Sequence, residues 1–224
     1  AWGRPGSYYG AQNFTNPQQL RQPPHLEAYH GEDVHLTKAL TNEMIKLLDS
    51  ADSTGEPIFA LMAFYAVHSP FEADPQFLAN YPSDQTGRVF AAMIEGMDHA
   101  VGRILKHLET LGIAENTLVF FLGDNGSVYS SKPLRGKKAD RFEGGIRVPF
   151  IVSWAKPSDI EIQSKWPIKA GTHHTESFGT ILDLMPTILN LTETKAPEGY
   201  ILDGYDLREV YAGETKQTFL MHFP

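Results

Sequence analysis

The stretch from Gly123 to Pro149 reads GDNGSVYSSKPLRGKKADRFEGGIRVP and lies between two apolar runs. Asp124 and Asn125 set a carboxylate beside an amide just after the run Thr117 to Leu122. Such a pair of oxygen donors suits a hard divalent cation, Ca²⁺ or Mg²⁺. Downstream, Lys132, Arg135, Lys137, Lys138, Arg141 and Arg147 concentrate positive charge in a chain whose formal net charge is -8. A cation site followed by ammonium and guanidinium groups is chemistry for holding an anion. Lys137 and Lys138 lie between Gly136 and Gly144-Gly145, where backbone freedom lets an ammonium approach that anion closely. His68, at the end of another apolar run, adds a possible general acid or anion contact. Each feature also has a plainer reading. Asn-Gly favours a tight turn, a basic loop can be merely solvated, and a lone His after an apolar run can be a hydrogen-bonded structural residue. Arg135, Glu143 and Arg147 read best as ion pairs that hold the loop together.

Composition narrows the classes. With 224 residues the chain is long enough for one or two domains with a substantial core. Its acidic balance argues against nonspecific nucleic-acid binding, which needs a broad basic face. No apolar run reaches the length of a membrane span. The absence of cysteine removes disulfides, thiolate metal sites and a thiol nucleophile from within these residues.

The elements that must position these groups follow from periodicity. Ala1 to Leu26, rich in Pro, Gly, Gln, Asn and Tyr, reads as loop. Leu36, Leu40, Met44, Leu47 and Leu48 recur at helical spacing. Ile58 to Val67 (IFALMAFYAV) is nearly continuous in apolar residues and predicts a strand buried on both faces, which would deliver His68 to its end. Residues Phe71 to Gly87 read as loop with at most one helical turn. Val89 to Leu111 restores helical spacing, with Gly112 placed as a left-handed cap. Thr117 to Leu122 predicts a second buried strand, and the order strand, helix, strand predicts a parallel βαβ unit. In an open α/β sheet ligands bind beyond the carboxyl ends of the strands, where His68 and Asp124 would both lie. Val148 to Trp154 predicts a further strand, Phe178 to Leu191 a helix in which Pro186 is tolerated only as a kink or near a first turn, and Thr218 to Phe223 a last strand. The fold class expected is α/β, with a mainly parallel sheet between helices.

The motifs together resemble the type I sulfatase family of the alkaline phosphatase superfamily. GDNG, PLRGKK and FEGGIRVPFIV are similar to that family's Ser-Asp-Asn-Gly-Gly, Pro-Leu-Arg-Gly-Gly-Lys and Glu-Gly-Gly-x-Arg-Val-Pro segments. AFYAVHSPF resembles its Val-His-Thr-Pro strand end, MIEGMDHAVGRILKHLETLGIAENTLVFF its long helix and next strand, and DLMPTILNL with LDGYDL the segment closing its main domain. The likeness runs in family order from about Leu36 to Pro224.

The resemblance implies a sulfuric ester hydrolase with an alkaline phosphatase-like fold, Ca²⁺ (Mg²⁺ as an alternative) and a formylglycine made from a Cys/Ser-x-Pro-x-Arg motif. That motif does not occur in these residues, so the chain is expected to be the central part of a catalytic domain, lacking the nucleophile segment and the carboxy-terminal subdomain. Carried over by position, Asp124 and Asn125 match metal ligands, His68 the histidine on the sulfate and leaving-group oxygen, and Lys138 the sulfate-binding lysine. Ser127, Lys137 and Ala139-Asp140 depart from the common residues, which keeps Lys137 open as an alternative to Lys138. The partner expected is a sulfated small molecule or carbohydrate, and the compartment extracytoplasmic: periplasmic, secreted or lysosomal. Two other readings stay open, a phosphodiesterase or phosphonate monoester hydrolase of the same superfamily, and a truncated noncatalytic binding protein.

Overall fold

The structure is a computed structural model that describes residues 14–16, 19–21, 25–168, 170–173 and 179–211. Two compact units, Ala1–Ala114 and Glu115–Pro224, divide the chain.

In the first unit, β1 (Phe14–Asn16) and β2 (Gln19–Arg21) form an antiparallel pair where the sequence predicts loop. Strands of three residues, FTN and QLR, are too short to carry a hydrophobic period that would mark them. The bulk of the unit is α1 (Leu36–Asp52) packed on α3 (Arg88–Leu111), with the single-turn α2 (Pro75–Leu78) against α3. Both long helices lie where their spacing predicts them. Ala39, Met44, Leu48, Ala92, Met93, Ala100 and Leu108 are buried, and Leu26 and Leu36 join Ala92 and Met93 in one cluster. Gly96 allows α2 close, since a Cβ there would stand 3.1 Å from the Phe77 ring.

The helix ends are built with care. His35 caps α1, its Nδ1 accepting from Thr37 N at 3.3 Å while Nε2 lies 3.1 Å from Glu72 O. Asp74 caps α2 through Gln76 N. α3 ends at Gly112, φ 76°, with Gly112 N bonded to Glu109 O and Ile113 N to Leu108 O. This is the paired bonding of a Schellman cap, and a left-handed residue makes it possible.

Ile58 to Val67 does not form the buried strand the sequence predicts; residues 58–65 are irregular and 66–67 a turn. Phe59 is 76% and Leu61 80% exposed, and no strand among the described residues pairs with the run. Apolar composition signals burial, but a strand exists only where a second backbone completes its ladder.

In the second unit, β3 (Leu118–Leu122) forms as predicted but pairs antiparallel with β4 (Phe150–Trp154), Leu118 opposite Trp154 and Leu122 opposite Phe150. The parallel strand-helix-strand unit is therefore absent among the described residues, and β3 is half-buried rather than fully buried. A helix between two apolar runs shows only that a crossover is possible. Which strands pair depends on backbone partners distant in sequence. Between β3 and β4 the chain makes the long loop 123–149, interrupted by the one-turn α4 (Glu143–Ile146). Beyond β4 come α5 (Glu161–Lys165), α6 (Leu184–Leu191) and α7 (Arg208–Tyr211). Pro186 is the third residue of α6, within the first turn, where its missing N–H costs nothing. Thr218 to Phe223 lies outside the described residues.

Two polar anchors hold this unit. The Gln163 amide spans three backbone groups, donating to Glu115 O at 2.6 Å and Lys156 O at 2.9 Å and accepting from Ser158 N at 2.8 Å. The Asp183 side chain is fully buried and accepts from Thr180 N, Thr180 Oγ1 and Tyr205 N at 2.6, 3.1 and 2.8 Å.

Candidate active site

The loop that follows β3 is a knot of backbone hydrogen bonds. Gly123 N donates to Pro149 O at 3.3 Å, Gly126 N to Gly145 O at 2.9 Å, Lys138 N to Ser127 O at 2.7 Å and Gly144 N to Arg135 O at 2.7 Å. Glycine is required where these strands of loop cross. A Cβ on Gly126 would meet Gly144 O at 2.0 Å, one on Gly144 would meet Gly136 O at 2.1 Å, and one on Gly145 would meet Asp140 O at 1.9 Å. No side chain fits at such separations. The predicted metal-ligand pair and the predicted anion-binding lysine are thus tied together through main chain.

Asp124 is exposed and Asn125 half-buried at the end of β3. Asn125 Nδ2 donates to Gly126 O at 3.0 Å, which orients the amide and commits its nitrogen. Its Oδ1 is the atom left for a cation. A carboxylate and an amide carbonyl are the right donors for Ca²⁺, and in chemistry they fit. They are two of the roughly six to eight oxygens such an ion takes. Among the described residues, no group of three or more His, Asp or Glu side chains gathers to complete the shell.

Lys138 is half-buried and Lys137 exposed. Lys138 occupies the corner of a turn, and its own N–H holds that turn to Ser127 beside the Asp124-Asn125 pair. Arg135 lays its guanidinium 3.6 Å above the Phe142 ring, and Arg147 approaches Glu143 at 3.9 Å. Both contacts brace the loop, but of the ion pairs expected only Arg147–Glu143 forms among the described residues, and Arg135 sits on the Phe142 ring instead. The ion pair is exposed on both sides and adds little by itself.

His68 belongs to the first unit. It is exposed, its N–H donates to Tyr65 O at 2.9 Å, and its Nδ1 lies 2.7 Å from Ser69 O. A carbonyl oxygen only accepts, so Nδ1 carries the proton of that bond. Proton exchange with any ligand then falls to Nε2.

Two features were not legible as functional in the sequence. Asp140 sends Oδ2 to Lys137 N at 2.9 Å, within the lysine turn. Its only signal is an Asp placed three residues after a lysine. Asp183 and Thr187 bind the two carboxy-terminal motif segments to each other, through Tyr205 N and Leu207 N.

The sequence profile of the Sulfatase family matches residues 4–194. N-acetylgalactosamine-6-sulfatase of Mus musculus is 34% identical over 183 residues, 78% of this chain and 32% of that protein. A sulfatase of Formosa agariphila is 31% identical over 218 residues, 87% of this chain and 38% of that protein. Among solved structures, Ps i-CgsB in complex with k-i-k-neocarrahexaose has a TM-score of 0.76 at 25% identity, covering 94% of this chain and 48% of that one. The chain spans about a third of the length of the curated relatives it matches. The α/β class expected from the motifs is that of its structural neighbours, whose fold is alkaline phosphatase-like. By profile, by identity and by fold, the chain belongs to the sulfatase family.

Proposed function

We propose that the full-length protein hydrolyses a sulfate ester, with the 224 residues here as the central part of its catalytic domain. The observation that carries this reading is the loop 123–147, in which backbone bonds from Lys138 N to Ser127 O and from Gly126 N to Gly145 O tie an oxygen-donor pair to a lysine turn. Family membership supplies the reaction class. The substrate we favour is a sulfated carbohydrate, a choice supported by the names of the galactosamine-sulfatase relative and the neocarrahexaose complex. An extracytoplasmic compartment accords with such a substrate. No helix among the described residues is long and apolar enough to cross a membrane.

Each side chain has one task in this scheme. Asp124 and Asn125 Oδ1 are the groups that would hold a divalent cation at the end of β3. Lys138 brings an ammonium to the sulfate oxygens, whose charge must be stabilised as the ester bond breaks. His68 releases the proton on Nε2 to the departing alcohol oxygen, while its Nδ1 hydrogen bond to Ser69 O keeps the ring oriented. When present, a divalent cation supplies charge stabilisation, and a hydrated formylglycine from a segment outside these residues supplies the attacking oxygen.

Assays of a sulfate and a phosphate ester of one alcohol test the reaction class. Sulfate turnover should dominate, and preference for the phosphate ester would overturn the reading. His68→Ala should lower turnover more for alkyl sulfates, which are poor leaving groups, than for activated aryl sulfates, which need no proton. Equal losses on both would remove the acid role from His68.

A further inference from the structure

We propose that Asp140 is a positioning residue for Lys138, acting through the turn that carries the lysine rather than on the substrate. The inference rests on the reading of Lys138 as the sulfate-binding lysine.

Residues 137–140 form a turn closed from both sides. Asp140 N donates to Lys137 O at 2.9 Å, and Lys137 N donates back to Asp140 Oδ2, also at 2.9 Å. Lys138 and Ala139 are its two corners. Ala139 has φ 74°, the left-handed conformation that the third residue of a type II turn requires and that alanine adopts only at a cost. Something must hold the turn against that cost, and the reciprocal Lys137–Asp140 bonds are placed to do so. The turn is then seated on neighbouring backbone. A Cβ on Gly145 would strike Asp140 O at 1.9 Å and Lys137 O at 2.8 Å, and Lys138 N reaches Ser127 O. Lys138 therefore has its origin fixed relative to the segment after Asp124-Asn125, and the side-chain acceptor that closes its turn, beside the backbone bond to Lys137 O, is the Asp140 carboxylate.

Among the described residues Asp140 forms no ion pair with either lysine ammonium or with Arg141. Its part is that of a hydrogen-bond acceptor at a fixed position, which an amide oxygen can fill. Charge is not the requirement. Position is, because a displacement of about 1 Å at a charge-stabilising group can cost a factor on the order of 100.

The test measures kcat/KM for an aryl sulfate, Ki for inorganic sulfate and the thermal midpoint in the full-length enzyme. Asp140→Ala should weaken kcat/KM and sulfate inhibition together, by roughly 10- to 100-fold, with a small change in thermal midpoint. Asp140→Asn should stay close to the parent. Asp140→Glu keeps the charge but moves the oxygen by a methylene, so it should resemble Asp140→Ala and replaces it if that variant does not accumulate. Ala139→Gly added to Asp140→Ala should recover much of the loss, because glycine accepts the left-handed corner without help. A purely structural role would move the thermal midpoint and leave Ki untouched. Lys138→Ala is the reference. If it abolishes sulfate inhibition while Asp140→Ala and Asp140→Glu leave Ki at the parent value, the positioning role fails alone. If Lys138→Ala itself leaves Ki unchanged, the reading of the lysine fails and the inference with it.

Discussion

Asp183 shows how much one side chain can carry. It is fully buried, and its two carboxylate oxygens accept three hydrogen bonds, two from Thr180 and one from Tyr205 N. Its backbone carbonyl accepts from Thr187 Oγ1, which in turn accepts from Leu207 N. Alanine at this position would leave buried donors without partners, at about 3 kcal/mol for a charged acceptor. Asp183→Ala should lower the thermal midpoint by several degrees, while Asp183→Asn, which keeps one oxygen acceptor, should fall between. Thermal unfolding followed by circular dichroism checks the order. The sequence reveals the motif to which Asp183 belongs, but not its burial, because nothing in DLMPTILNL says which of its residues faces inward.

At the scale of elements, the caps make α1 sensitive to pH. Burial holds the His35 imidazole below its ordinary range, and the hydrogen bond to Glu72 O only partly offsets this. The neutral ring is also the form that accepts from Thr37 N. The unfolded chain binds a proton near the ordinary histidine value of about 6.5, while the native state resists it. Stability is therefore undiminished above that value and falls as pH drops from it towards the lower native value. His35→Asn keeps an N-capping acceptor without a titrating ring, so it should flatten the dependence of urea midpoint on pH as pH falls below about 6.5. An unchanged slope would assign the dependence to other groups. The helices were legible in sequence because apolar spacing and caps are local properties, as Gly112 and the α3 stripe illustrate. β1 and β2 were not, since pairs of short polar strands depend on each other and on nothing local.

At the scale of the whole molecule, the run Ile58 to Val67 is the main departure from expectation. Phe59 and Leu61 stand exposed in a segment composed for burial, and Ile58 is 38% exposed. Contiguous apolar surface of this kind promotes association. The 224-residue chain should self-associate in a concentration-dependent way, and Phe59→Lys with Leu61→Lys should suppress this in sedimentation velocity. Equal association of the double variant would place the contact elsewhere.

The sequence by itself determined the family, both long helices and the β3 and β4 segments. Those follow from residue type and short spacing, which an extended chain already contains. Tertiary structure decided three things that spacing cannot encode. It paired β3 with β4 antiparallel, because strand partners are chosen by backbones far apart in sequence. It left the run Ile58 to Val67 without a strand partner among the described residues. It also crossed Gly126, Gly136, Gly144 and Gly145 so closely that Asp140 could close the lysine turn beside the Asp124-Asn125 pair. The glycines are visible in the sequence. Only folding shows which backbone atoms they let meet.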